Sequence, residues 1–89
     1  MKTSKAAAPS ESAVARLIGE SRLMVLVAAQ QPRTTSELAD ACFMSAPSAS
    51  RHAAVLREAG LISSTRCGQT VVHAMTQLGA LLLCGMNGC

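Results

Sequence analysis

The chain has 89 residues, 49% of them apolar, with a single aromatic residue, Phe43, and a net charge of +3. That length holds one small domain with a modest core, and without Trp or Tyr it lacks the side chains that usually dominate such a core. Many small apolar residues and few bulky ones predict close helix packing, with apolar surface left over for a second copy of the chain; the charge favours an anionic partner, well short of a polybasic tail.

Met1–Ser10 is Lys, Ala, Ser and Thr with one Pro, and is expected to be a disordered tail. No apolar stretch of signal-peptide length follows Met1–Pro9, and the longest apolar run, Leu23–Ala29, is too short to span a bilayer. A cytoplasmic location with no membrane partner is therefore expected. The four cysteines, Cys42, Cys67, Cys84 and Cys89, are then thiols and not structural disulfides.

Ser10 is placed to cap a first helix running to about Ile18, with Val14, Leu17 and Ile18 on one face. Gly19 interrupts it. A second helix, about Ser21–Ala29, is expected to turn Leu23, Leu26 and Val27 inward. Gln30–Arg33, with Pro32, reads as a loop. Thr34-x-x-Glu37 is a capping box. It opens a short helix ending near Cys42, with Leu38, Ala41 and Cys42 as its buried side. Phe43–Ser45 is a tight turn.

Ser45–Leu61 reads as one amphipathic helix with its stop. Ser45 is a good N-cap, Pro47 lies in the first turn, and Gly60 follows the last turn. Ala49, Ala53, Leu56 and Leu61 make an apolar stripe at helical spacing. The other face carries Ser48, Arg51 and Arg57, flanked by Ser50 and Ala54. Two helices joined by a short turn, the second with a small, hydroxylated and basic face, form a helix-turn-helix, and such a face suits a DNA groove. The alternative is an ordinary solvated face.

After Gly60 the period changes. Leu61–Arg66 and Thr70–Met75 are strand-like and flank a turn at Cys67–Gly68–Gln69, which predicts a β-hairpin. Thr76–Leu83 returns to helix. The organisation is a tail over 1–10, a mostly α domain with a small β-hairpin over 11–83, in sum a winged helix-turn-helix, and a Cys/Gly tail over 84–89.

The run from Ser36 to Gly79 resembles the winged helix-turn-helix of the arsenic-repressor (ArsR/SmtB) family of bacterial regulators. The matching pieces are Glu37-Leu38-Ala39, Ser45, Ser50-Arg51-His52, Val55-Leu56-Arg57-Glu58-Ala59-Gly60-Leu61, Gly68 and Thr76-x-Leu78-Gly79. The central stretch is shared with multiple-antibiotic-resistance (MarR) repressors and other winged-helix relatives. The resemblance implies a homodimer formed by the first and last helices, a recognition helix in the major groove and a wing along the backbone or minor groove. It places Ser45, Ser48, Ser50, Arg51 and His52 at the DNA, with Arg66 and Gln69 on the wing. The chain departs from the family at Phe43, where the turn usually has Gly, at Val71–Val72–His73, where wing aromatics are usual, and in its short last helix.

Arg51 is the leading candidate, since an Arg on a recognition helix contacts guanine or phosphate. Ser45 is a cap first and a phosphate contact second. His52 is either a packed neutral ring or a DNA contact. His73 reads as a partly buried structural residue, with metal ligation as the alternative. Arg66 and Gln69 flank a Gly turn, a common site of phosphate contact.

Cys84 and Cys89 lie in a Gly-containing stretch that can bend both thiolates onto one soft ion. The resemblance points the same way, because arsenic-responsive members carry Cys ligands near the C-terminal helix. No cofactor is required; the effector expected is As(III) or another soft ion. No nucleophile elbow, Gly-rich phosphate loop or metalloprotease His-Glu pair is present, so an enzyme is not expected. The sequence thus predicts a dimeric repressor that binds an imperfect palindrome in double-stranded DNA and leaves it when a thiophilic ion binds. The alternatives are a winged-helix regulator with no metal ligand, redox-sensing or constitutive, and a winged-helix module for protein–protein contact. Ser48, Ser50, Arg51 and Arg66, with no acid between Ser45 and Arg57, favour DNA.

Overall fold

The computed structural model describes residues 11–86, so the expected tail over 1–10, the Ser10 cap and Cys89 lie outside the described residues. In chain order the elements are α1 (Glu11–Ile18), α2 (Glu20–Ala28), β1 (Arg33–Thr34), α3 (Thr35–Ala41), α4 (Ala46–Glu58), β2 (Ile62–Cys67), β3 (Thr70–Met75) and α5 (Gln77–Met86). The strands form one antiparallel sheet in the order β1-β3-β2. Helix-turn-helix followed by a hairpin is the winged-helix arrangement expected. Among the described residues, no helix is long and apolar enough to cross a membrane.

Local chemistry sets most of the boundaries. Gly19, with φ 94°, separates α1 from α2. Thr34 and Glu37 close the capping box at the start of α3: the Thr34 hydroxyl accepts from the Glu37 N–H at 3.2 Å, and Glu37 Oε1 accepts from the Thr34 N–H at 2.8 Å. Ser45 caps α4, and Pro47 sits in its first turn. Helix α4 ends in a Schellman motif. Gly60 takes φ 81°, its N–H bonds to the Arg57 carbonyl, and the Leu61 N–H reaches back to the Leu56 carbonyl at 2.9 Å.

The core lies between α2, α3, α4 and the base of the hairpin. Leu26, Leu38, Leu56, Ile62 and Val25 are its largest fully buried side chains. The stripe Ala49, Ala53, Leu56 and Leu61 is buried as expected. On α1, Val14 is buried and Leu17 is 81% exposed, apolar surface that the protomer leaves open. Two inward assignments are corrected. Val25, not Val27, is buried on α2; Met24 and Val27, three residues apart, form the outer ridge of that helix. On α3 the buried side is Leu38, Ala39 and Cys42, and Ala41 is exposed.

Arg33, read as the end of a loop, and the cap residue Thr34 form a short strand. They pair with His73 and Val72 of β3, a partnership fixed by tertiary contact. The hairpin turn is Gly68–Gln69, with Cys67 paired to Thr70 and φ 65° at Gly68. Helix α5 does not stop at Leu83. It runs through Cys84 to Met86, so Cys84 stands on a helix and not in a flexible tail.

α5 is held close to the rest of the domain at Gly79. A Cβ there would lie 2.5 Å from the Leu61 carbonyl oxygen and 2.7 Å from Met75 Cγ. Gly79→Ala is therefore expected to push α5 outward and to cost about 1–3 kcal/mol, as overpacking does. A thermal melt reads this as a drop of about 4–8 °C per kcal/mol for a domain of this size. An unchanged melting temperature would show that α5 is free to shift.

Candidate nucleic-acid interface

Helix α4 buries one stripe and shows the opposite face to solvent. At about 100° per residue, Arg51 stands opposite Ala49, Ala53 and Leu56. Three polar side chains at spacings of three form a connected ridge up this helix. The Ser45 hydroxyl accepts from the Ser48 N–H at 3.2 Å and donates to Ser48 Oγ at 3.0 Å. Arg51 Nη2 donates to Ser48 Oγ at 3.2 Å. Ser45 and Arg51 are exposed and Ser48 is half-buried, so the guanidinium is held by Ser48 yet open to an incoming anion or base edge.

The other sequence candidates are placed around this ridge. Ser50 is exposed, on the opposite flank of α4 from Ser48. His52 is half-buried on the Ser48 side, and its pKa is lowered by burial, then by the Arg22 and Arg51 charges. Arg66 and Gln69 are exposed at the end of the hairpin. Gln69 also lines a polar hollow with Thr34, Thr35, Ser36, Thr70 and Val71, so the wing tip and the start of α3 face one space. The structure thus joins Ser45, Ser48 and Arg51 directly and sets Arg66 and Gln69 apart on the wing.

Arg57 has a different job from the one its place on the outer face suggests. Its Nη1 donates to Ser64 Oγ of β2 at 3.2 Å. Ser64 Oγ is 2.8 Å from His73 Nδ1, and His73 Nε2 is 2.8 Å from Thr35 Oγ1. This chain ties the end of α4 to both wing strands and to the start of α3. His73 is 4% exposed, the structural residue expected, and its pKa is lowered by burial first and by Arg57 second. Either neutral tautomer satisfies both hydroxyls; a second proton would bring a charge into the interior beside a guanidinium. Sequence reading missed Ser64 and Thr35, because nothing local marks residues 38 positions apart as partners.

The three described cysteines lie on different elements. Cys42 is buried, and burial raises its pKa against the opposing Arg33 charge. Cys67 is exposed near the hairpin turn and Cys84 is half-buried on α5. Among the described residues, no group of three His, Cys, Asp or Glu side chains is arranged to hold a metal ion. Cys89, the second member of the expected pair, is outside the described residues.

A family model described as "MarR family" matches residues 13–70. No curated protein matches the chain. Among solved structures, BpsR of Bordetella bronchiseptica, whose DNA binding is regulated by 6-hydroxynicotinic acid, aligns with TM-score 0.69 and 17% identity over 75% of this chain and 50% of its own. The transcriptional regulator BldR of Sulfolobus solfataricus aligns with TM-score 0.70 and 20% identity over 84% of this chain and 59% of its own. ZitR of Lactococcus lactis in complex with DNA aligns with TM-score 0.64 and 21% identity over 91% of this chain and 57% of its own. The chain therefore spans about half to three-fifths of the length of these structures, and at such identities the likeness is one of fold. The branch expected from sequence, ArsR/SmtB, is corrected to MarR by the family match. The central stretch that suggested it, Ser50–Leu61, does not separate the two groups.

Two histidines held neutral make stability depend on pH. Their folded pKa values lie below the unfolded value of about 6.5, so the stability this provides is present above that pH and is lost as pH falls below it. Melting temperature is expected to fall between pH 7.5 and pH 5. His73→Gln, which keeps hydrogen-bonding groups without a titrating ring, is expected to remove the larger share of that fall. An equally steep pH profile in the variant would move the effect elsewhere.

Proposed function

The chain belongs to the MarR family of winged-helix, DNA-binding transcriptional regulators, and from that premise we propose that it is a homodimeric repressor reading an imperfect palindrome with α4. The observation that carries this reading is the Ser45–Ser48–Arg51 ridge, with Arg51 open to solvent opposite the buried stripe. Arg51 reads base edges, Ser45 and Ser48 set its direction and reach phosphates, and Ser50 and His52 border the contact. Arg66 and Gln69 hold the backbone from the wing. Dimerisation is supported by the apolar side chains left open on the first and last helices: Leu17 at 81%, Leu81 at 60% and Leu78 at 53% exposed. Leu83, on the same last helix, faces the protomer's own core. A cytoplasmic location suits this role.

The effector in this reading is a thiophilic ion, As(III) or a soft metal, taken by Cys84 and Cys89. It is supported by the place of Cys84 on α5, the helix that also presents Leu78 and Leu81. A hundredfold loss of operator affinity needs a coupling of about 2.7 kcal/mol. A second effector class is favoured by the cleft between α2 and α3. Leu23, Met24, Val27, Ala28 and Ala41 line it with Arg33 and Cys42, an apolar wall with one cation that suits a small aromatic acid. Titrating the protein–DNA complex with arsenite, zinc and 6-hydroxynicotinic acid separates the two. Dissociation by arsenite that Cys84→Ser/Cys89→Ser abolishes supports the thiols; dissociation by the acid alone supports the cleft.

DNA binding is expected to be electrostatic in affinity and helix-read in specificity. For about six phosphate contacts per dimer, log K falls against log salt with slope near −5. Arg51→Ala costs about 1–3 kcal/mol for each base edge it no longer reads and relaxes sequence preference, whereas Arg66→Ala weakens all sequences alike. A gel shift in which Arg51→Ala matches wild type would remove α4 from the reading role. Separately, a Leu17→Glu/Leu81→Glu variant is expected to sediment as a monomer and to lose the palindrome, because the dimer fixes half-site spacing. A dimer that survives both changes would place the interface elsewhere.

A further inference from the structure

Phe43 is the one aromatic residue of the chain, and it sits where a side chain is least welcome. Its backbone takes φ 55°, the left-handed region in which a Cβ crowds the following carbonyl. Its ring is 92% exposed. The turn does not need the ring. Its hydrogen bonds are main-chain, from the Phe43 N–H to the Asp40 carbonyl at 3.3 Å and from the Met44 N–H to the Ala39 carbonyl at 3.0 Å. Helix α4 ends in the same pattern on Gly60, without the steric conflict. A residue that serves neither the backbone nor the core, in a strained conformation, points to a contact outside the protomer.

Its position says what that contact is. Phe43 lies two residues before Ser45, a span of at most about 7 Å. Phe43 therefore lies next to Ser45, the cap that begins the ridge, at the N-terminal end of α4. The exposed leucines suited to a second copy are on α1 and α5, and Phe43 is on the turn between α3 and α4. The apolar atoms a duplex offers next to a reading helix are deoxyribose rings and thymine methyl groups. We infer that Phe43 is a DNA-contact residue, its ring packing on these apolar atoms at the edge of the site that α4 reads. The inference rests on the DNA-reading function proposed above.

The test uses the full chain and a labelled duplex that the wild-type protein recovers from a random-sequence pool. Phe43→Gly and Phe43→Asn both accept a left-handed φ. Each is expected to melt no lower than wild type and to remain a dimer, yet to bind the duplex about tenfold more weakly. The slope of log K against log salt is expected to stay the same, because every phosphate contact is kept; Arg66→Ala is expected to shallow it. Replacing thymines by uracil distinguishes the two apolar sources. A position at which uracil weakens wild type but not Phe43→Gly identifies a methyl contact, and indifference to uracil with the tenfold loss intact identifies deoxyribose. Phe43→Gly that binds like wild type, while Arg51→Ala fails, overturns the inference and leaves the function standing. A lowered melting temperature in both variants, or loss of the dimer, overturns it in favour of a structural or subunit contact. Failure of wild type to recover any duplex removes both.

Discussion

Gly60 and Leu61 carry the constraint on which the remaining architecture depends. Within these two residues α4 ends, the wing begins and α5 is anchored. The Leu61 N–H closes the Schellman bond to Leu56, its carbonyl accepts from the Thr76 N–H at 3.0 Å, and its side chain is buried. The Gly60 carbonyl accepts from the Thr76 hydroxyl, which at the same time caps α5 by accepting from the Gly79 N–H at 3.1 Å. Gly79 then brings α5 against the Leu61 carbonyl with no room for a methyl group. The junction is built from main-chain donors and acceptors and one hydroxyl, each with a named partner, so it is stiff. The direction of the wing and the direction of α5 are both fixed relative to α4 by the same few atoms.

That stiffness matters for a DNA reader. A ridge on a helix specifies sequence only if the helix enters the groove at a set angle while the wing meets the backbone. The chain Arg57–Ser64–His73–Thr35 supplies a second tie on the far side of the hairpin. With the junction at Leu61 it holds the wing at both its base and its middle. Arg57 is thus a brace, whereas Arg51 bonds only within its own helix ridge and keeps its outer face exposed.

What the sequence made legible is what local chemistry decides. The caps at Thr34 and Ser45, the stop at Gly60 and the stripe Ala49–Ala53–Leu56 depend on neighbours within one or two turns, and the structure holds them as read. The ridge on α4 followed from the same period. Features set by distant partners were not legible. β1 is two residues long and exists only through β3. The exchange of Val27 for Val25, and of Ala41 for Ala39, reflects which neighbour covers each helix flank, and residues of equal hydropathy carry no sign of it. Gly85 suggested a tail after Leu83, but one glycine lowers helix propensity by only about 1 kcal/mol, and α5 continues past it. The family branch was misread for a related reason. The residues that match are those any winged helix needs to cap, pack and present its reading helix, so they mark the fold more sharply than the branch.

Phe43 and Gly60 put the remaining contrast in one molecule. Both are the left-handed residue after a helix, and both carry the same pair of main-chain bonds. At Gly60 the chain takes the relaxed solution, because the junction beyond it must be tight. At Phe43 it takes the strained one, at about 1–2 kcal/mol, in a small domain whose total stability is of the order of 5–15 kcal/mol. The core cannot use an aromatic ring held outside it, and the turn would close without one. The sole large ring in a chain of small side chains is therefore left in solvent next to the capped end of α4, where its apolar area adds nothing to the fold.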